Sequence, residues 1–239
     1  MWESTVDGKV LHFHLAGINN QNFIMRDEET GTWWQQVTGK AIHGPLEGRQ
    51  LKSVFHDEVS FRIWKQEQPQ GRVLKPDERI AAANQYEAAD WETRVGRMRV
   101  VKGTDVDQRL APRTLVIGVE VDGKSVAYPL SALQKQSPIM DMVGSVPIVL
   151  MLGEDNRSVR AFERTVDGKR LEFFQKTEKE KTGLQLIDAE TASTWNFEGK
   201  AIAGPLAGRQ LKKVFVLEDY WFDWRIYHPD TRIYDLGPR

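Results

Sequence analysis

The chain has 239 residues, 33 basic against 34 acidic side chains and a formal charge of -1, which leaves no electrostatic footprint for a nucleic-acid backbone or an anionic lipid surface. It has no cysteine, so disulfides, thiolate metal sites and a cysteine nucleophile are excluded. Its longest apolar runs, such as Pro147 to Leu152, fall far short of the roughly 20 residues that span a bilayer, and Met1-Trp2-Glu3-Ser4 does not begin a signal peptide, so the sequence reads as a soluble chain without membrane insertion.

In chain order, Glu3 to His14 reads as strand, Asp7-Gly8 turn and strand, because both central residues of a type I′ turn need positive φ. The same Val-Asp-Gly-Lys tetrad returns at 121–124 and 166–169, which predicts three hairpins with one turn chemistry. Period-two alternation puts Leu11 and Phe13 on a core face and His12 and His14 on the other. After Phe23-Ile24-Met25, the acidic, polar turn from Asp27 and the Thr/Trp-rich run that follows read as a loop entering a strand, and the stretch is matched by Asp188 to Asn196.

The most specific signal follows. Ala41-Ile42-His43-Gly44-Pro45-Leu46-Glu47-Gly48-Arg49-Gln50-Leu51 is spelled again 160 residues later as Ala201-Ile202-Ala203-Gly204-Pro205-Leu206-Ala207-Gly208-Arg209-Gln210-Leu211. Its Gly-Pro-Leu-x-Gly core suits a tight turn. Each copy closes with an amphipathic stretch, Glu58 to Gln68 and Glu218 to His228, in which Trp64 and Trp224 align and which reads as a short docked helix. Between the copies, Pro76 to Tyr86 reads as a linker entering a short helix, and Trp91 to Thr104 has no decisive period. Thr114 to Val121 and Ser125 to Leu130 form a hairpin, and Val146 to Leu152 a buried strand; the tail after Asp230 is too short for another element. The expected fold is α+β and mostly β: two related β-rich lobes from an internal duplication, residues 1–77 and 159–239, joined by a central hairpin-containing segment, 78–158.

Val-Asp-Gly, Thr-x-Ser/Thr-x-Trp, Gly-x-Ala-Ile-x-Gly-Pro-Leu-x-Gly and the terminal Trp-x-x-x-His-Pro-Asp-Thr, with Val-Ala-Tyr-Pro-Leu and Val-Gly-x-Val-Pro-Ile between them, resemble a bacterial family known as a domain of unknown function, DUF3179. The resemblance covers nearly the whole chain and implies an exported or membrane-associated, extracytoplasmic (periplasmic) protein of mostly β structure. It carries no activity to transfer. Relatives place a cysteine-containing stretch before the first Val-Asp-Gly hairpin and some a Cys-Pro-x-Cys element before the second; here Gly153-Glu154-Asp155 stands near the latter position. The chain also begins abruptly in its first strand, so a preceding segment is expected.

Two candidate sites emerge. His12, His14, His43 and His56 lie in the first copy, where the second has Glu172, Phe174, Ala203 and Val216. His12 and His14 on one strand face, with His43 or His56 as a third imidazole, would suit zinc or copper; the competing reading is surface or hydrogen-bonded histidines. Trp33, Trp34 and Trp195, with Arg49 and Arg209, would form an aromatic and cationic ligand cleft between the lobes. Alternatively, each tryptophan fills its own lobe and each arginine caps exposed carbonyls. The repeated Asp7 and Asp167 are explained by turn geometry.

No nucleophile elbow, phosphate loop, His-Glu-x-x-His or dinucleotide fingerprint is present, which leans against an enzyme. The leading expectation is a non-catalytic binding or assembly module that takes a protein or small-molecule ligand between its lobes and requires no cofactor. The rival is a histidine-based zinc or copper metalloprotein, a carrier or an oxidoreductase.

Overall fold

The computed structural model describes residues 1–19, 22–75, 77–79, 90–100, 108–176 and 183–235. The described residues form two compact units, Met1–Asp57 and the residues from Glu58 onward. The boundary differs from the expected division, because the helix that closes the first copy belongs to the second unit and so does the central segment.

The first unit opens with a small hairpin of β1 (Thr5–Val6) and β2 (Lys9–Val10). An antiparallel sheet follows in the order β3 (Phe13–Asn19), β4 (Asn22–Asp27), β5 (Trp33–Gln35) and β6 (Ala41–His43). Its core holds Val6, Leu11, Trp34, Ala41 and Leu51, with Trp2, Phe13, Met25 and Leu46 packed around them.

The second unit begins with α1 (Phe61–Glu67) and α2 (Trp91–Arg97). The anticipated hairpin follows as β7 (Leu115–Val121) and β8 (Lys124–Pro129), then α3 (Leu130–Lys135), β9 (Ile139–Val143), β10 (Val146–Leu152) and β11 (Val159–Glu163). The second copy supplies the hairpin β12 (Thr165–Val166) and β13 (Lys169–Arg170) and the sheet β14 (Phe173–Gln175), β15 (Gln185–Asp188), β16 (Thr194–Asn196) and β17 (Ala201–Ala203). It ends with β18 (Lys213–Val214), β19 (Leu217–Tyr220), α4 (Trp221–Tyr227) and β20 (Arg232–Ile233). The tail after Asp230 does make an element, since β20 pairs in parallel with β8. The Pro76 to Tyr86 stretch lies largely outside the described residues. Among the described residues no helix is long and apolar enough to cross a membrane.

Layering in this unit follows from the sequence of β10. Ile148, Leu150 and Leu152 join one core cluster with β7, β8 and β9, while Val149 and Met151 join another with Phe162, Phe173 and Trp195. Both faces of β10 are covered, which is why it is written as a continuous apolar run. The sheet β18-β11-β10-β9 is therefore the middle layer between β19-β7-β8-β20 and β14-β15-β16-β17. On the outer face of β7 and β8, Trp221 and Trp224 of α4 pack on Val116 and Ala127. Trp224 donates its indole N–H to Thr231 Oγ1 at 3.0 Å and stacks on His228, whose ring centroid lies 3.7 Å away. The terminal Trp-x-x-x-His-Pro-Asp-Thr element is thus a helix stop.

Helix α1 packs away from its own copy. Ile63 sits in the core with Val149 and Trp195, Ser60 donates its amide to Ser158 Oγ, and Glu67 takes both guanidinium nitrogens of Arg160 at 2.6 and 2.8 Å.

The two small sheets repeat one another bond for bond. Asp27 Oδ2 accepts the indole N–H of Trp34 at 2.8 Å, and Asp188 Oδ2 accepts that of Trp195 at 2.8 Å. The amide of Thr30 reaches Asp27 at 2.6 Å and that of Thr191 reaches Asp188 at 2.6 Å, with each threonine hydroxyl also on the carboxylate. That hydroxyl meets Thr32 Oγ1 at 2.6 Å or Ser193 Oγ at 2.7 Å, which in turn accepts the amide of Leu46 or Leu206 in the Gly-Pro-Leu turn. There Gly44 and Gly204 have φ of 112° and 90°, and a Cβ would lie 2.9 and 2.6 Å from the Cα of Thr32 and Ser193. Asp7, Asp122 and Asp167 all have φ of 49°, followed by glycines with positive φ, so the three Asp-Gly turns form as the sequence predicts.

Burial opposes ionisation of Asp27, but the bonds from Trp34, Thr30 and Thr32 together outweigh it and hold its carboxyl below the usual range. Asp188→Ala is expected to destabilise the second unit by about 2–4 kcal/mol in urea unfolding, since it orphans the buried Trp195 indole N–H and removes the partner of the part-buried Thr191 amide; a loss below about 1 kcal/mol would remove the network from the account. At Gly118 a Cβ would lie 2.2 Å from the ring of Trp224. Gly118→Ala is therefore expected to lower stability by about 1–3 kcal/mol, read as a fall in Tm.

Candidate functional site

Cross-strand register assembles a surface that no sequence spacing displays. In the first sheet His14 pairs with Arg26, Arg26 with Trp33, and Trp33 with His43, so the four side chains form one row across β3, β4, β5 and β6. The row lies on the face opposite Trp34, because adjacent residues in a strand point to opposite sides. His14, Arg26 and His43 are exposed, and Trp33 keeps 37% of its surface. Arg26 is held over the Thr30-Gly31 turn: its Nε donates to the Gly31 carbonyl at 3.1 Å, and a Cβ on Gly31 would meet its guanidinium at 2.9 Å. In the second sheet the same row reads Phe174, Ile187, Thr194 and Ala203. One copy thus presents cationic and aromatic groups where the other presents mainly apolar ones.

A second feature lies within the second unit. A cavity of about 480 Å³ is bounded by the starts of β7 and α3, the β10–β11 loop and strand β19. Leu115, Leu130 and Tyr220 form its apolar walls, and Arg157 and Glu218 its charged ones. Arg157 and Glu218 stand 3.7 Å apart. Asp219 is half-buried and accepts the Tyr220 amide at 2.7 Å. Burial pushes its carboxyl up to about 8, aided by the charge of Asp223 and more weakly by Glu58, against the pull of the Tyr220 amide.

The family model described as a protein of unknown function, DUF3179, matches residues 1–231. The chain belongs to that family. No curated protein and no solved structure matches it.

In this DUF3179 chain the residues singled out from sequence separate into structural and surface groups. Trp34 and Trp195 have no exposed surface and fill their own cores, so neither lines a ligand cleft. Arg49 pairs with Asp7 at 2.9 Å and Arg209 with Asp167 at 2.8 Å, each tying the Gly-Pro-Leu turn to the Asp-Gly turn of the same copy. Both pairs are solvent-exposed and contribute little to stability.

The histidines are not brought together. His14 and His43 stand three strand spacings apart, roughly 14 Å, beyond what two imidazoles standing on a sheet can share. His12 precedes β3, and its Nδ1 lies 2.6 Å from Glu29 Oε1 while its amide donates to Glu29 Oε2. The bond from Glu29, then its charge, raise the His12 pKa. His56 Nδ1 sits 3.1 Å from the Val54 carbonyl oxygen. Among the described residues no three of His, Asp and Glu gather where a metal ion would fit.

Arg26 escapes sequence inspection. Register alone places Arg26 beside Trp33. Asp219 and Asp223 were legible through the repeat: at the offset of 160 they replace Val59 and Ile63, both packed in the core around Trp195.

The pH dependence follows from Asp219. The native carboxyl holds its proton up to about 8, whereas an ordinary aspartate loses it near 3.8. Between these values the folded state binds more protons than the unfolded chain, so this residue's contribution to stability falls as pH rises through that window. Asp219→Asn removes the titration. Its Tm is expected to exceed that of the parent at neutral and alkaline pH and to converge with it in acid; an increment independent of pH would refute the assignment.

Proposed function

We propose that this DUF3179 chain is a non-catalytic binding or assembly module of an extracytoplasmic bacterial system, and that the outward row His14, Arg26, Trp33 and His43 takes its ligand. The observation that carries this reading is a half-exposed indole flanked by a guanidinium and an imidazole on a sheet face whose counterpart lacks both charge and indole. An indole face packs against the C–H face of a sugar ring, and arginine recognises a carboxylate. The chemical class that fits is an acidic saccharide, with the ring on Trp33 and the carboxylate at Arg26. The extracytoplasmic setting rests on the resemblance to exported family members, and it is where such saccharides are met.

Binding of uronate-containing oligosaccharides to the whole chain tests the reading, with neutral oligosaccharides of the same length for comparison. Trp33→Ala and Arg26→Gln are each expected to weaken acidic-saccharide binding by about tenfold or more while both variants still unfold cooperatively well above the assay temperature, since neither side chain is in the core. Equal binding by parent and variants, or equal affinity for acidic and neutral chains, would sink it.

A further inference from the structure

The inward face of the first small sheet is bare where its counterpart in the second copy is covered. Leu15 pairs with Met25 and Met25 with Trp34, so these three share the inward side of their strands, and the pair Ile18–Phe23 lies on that side too. Leu15, Ile18 and Phe23 keep 62, 66 and 48% of their surface. Together they expose on the order of 350 Å² of apolar area, the scale at which a patch on a monomer marks an interaction site. In the second sheet Leu186, which matches Met25, has no exposed surface: Val149 and Met151 of β10 and Ile63 of α1 share its core. There the exposed place of Leu15 is taken by Gln175, so folding of this sheet does not require a leucine at that point.

Backbone pairing gives the class of occupant. Trp2 stands in the place of Phe162 on β11: it pairs with Ser53 as Phe162 pairs with Lys213, and the Glu3 amide reaches the Lys52 carbonyl as that of Glu163 reaches Lys212, both at 2.8 Å. On its other side Phe162 pairs with Val149 of β10, whereas among the described residues no strand pairs with the other side of Trp2. Amides alternate along a strand, so those of Trp2 and Ser4 face this open edge. The amide of Arg164, which matches Ser4, donates there to the Pro147 carbonyl at 2.9 Å. What β10 gives the second sheet is therefore missing from the first: backbone pairing along one edge, with the aliphatic side chains Val149 and Met151 on the inward face. We propose that this face takes one apolar β-strand from a partner protein, laid beside Trp2 as β10 is laid beside β11, with alternate side chains on Phe13, Met25 and Phe23. A stable dimer needs roughly 800 Å² per partner, more than twice the exposed patch, so a single strand fits it and a second folded copy does not. The patch carries no charge, which requires apolar residues on the strand's inward side.

This surface is the opposite face of the sheet from Trp33 and stands apart from the saccharide reading. The test is fluorescence anisotropy of the whole chain with a labelled peptide of residues 146–152, made soluble by two lysines at each end. The comparison is the same peptide carrying Val149→Asp and Met151→Asp. Saturable one-to-one binding of the first peptide is expected, with the second weaker by about tenfold or more. Leu15→Lys and Phe23→Lys, both at exposed positions, are each expected to weaken binding by about tenfold and to leave the unfolding transition cooperative. Hydrogen exchange separates strand pairing from mere hydrophobic adhesion: the bound peptide is expected to protect the amides of Trp2 and Ser4 and to leave that of Glu3, already bonded to Lys52, unchanged. Trp33→Ala is expected to bind the peptide as the parent does. Absence of saturable binding, equal affinity for the two peptides, full affinity in both lysine variants, or no new protection at Trp2 and Ser4 would overturn the proposal. A dimer of the parent that dissociates on dilution and is lost in Leu15→Lys would give the face to a second copy and overturn it equally.

Discussion

Asp27 and Asp188 each take an indole N–H, a backbone N–H and a threonine hydroxyl inside sheets whose strands run only three to seven residues, and strands that short have few ladder bonds of their own. A carboxylate at the end of one strand therefore does what longer strands do by backbone pairing: it fixes the indole, the following turn and, through Thr32 or Ser193, the Gly-Pro-Leu turn thirteen or fourteen residues on. Burying the charge is tolerable because every acceptor lobe that the fold can reach is filled by a donor. The family motifs Thr-x-Ser/Thr-x-Trp and Gly-Pro-Leu-x-Gly belong to this one network: the aspartate holds the first, and Thr32 or Ser193 joins it to the second.

Around that constant centre the copies diverge where packing permits. Val6, Leu11, Trp34, Ala41 and Leu51 match Val166, Leu171, Trp195, Ala201 and Leu211, and Trp2 stands where the second copy has Phe162. The cores thus share most of their residues, but the outward rows do not. In the second unit Phe162 also reaches the middle sheet beside Val149 and Met151. Constraint is therefore concentrated on the inner faces, and the outer face of the first sheet is free to carry His14, Arg26, Trp33 and His43.

What could be read from sequence divides along the same line. The Asp-Gly turns, the hairpin of β7 and β8 and the two-faced strand β10 were legible because each is dictated locally, by positive φ or by an unbroken apolar run. The destination of α1 was not, since amphipathicity shows that a helix buries a face and says nothing of which core receives it; only the Arg160–Glu67 pair and Ile63 reveal that. Trp33 and Trp34 carry a subtler lesson. Neighbours in a strand face opposite ways, so one of the two had to be core, and the match of Trp34 to Trp195 already identified which. Reading His12 as a strand residue failed because Glu29 captures its amide and ring before β3 begins. Arg26 became visible only through register, a property of pairs of strands.

The cavity beside β19 depends on rigidity supplied from a distance. Arg157 sits in a loop closed by the Gly153 amide on the Ser158 carbonyl, and Asp155 inside that loop accepts the amides of Arg157 and Ser158 and the hydroxyl of Ser158. Burial disfavours charge on Asp155, yet the bonds from Ser158 and Ser60 prevail and keep its carboxyl below the usual range. The Ser60 amide also holds Ser158, so the start of α1 braces the loop that carries Arg157. Opposite it, β19 is pinned along its length to β7. Arg157 and Glu218 are thereby fixed on separate rigid elements across the cavity.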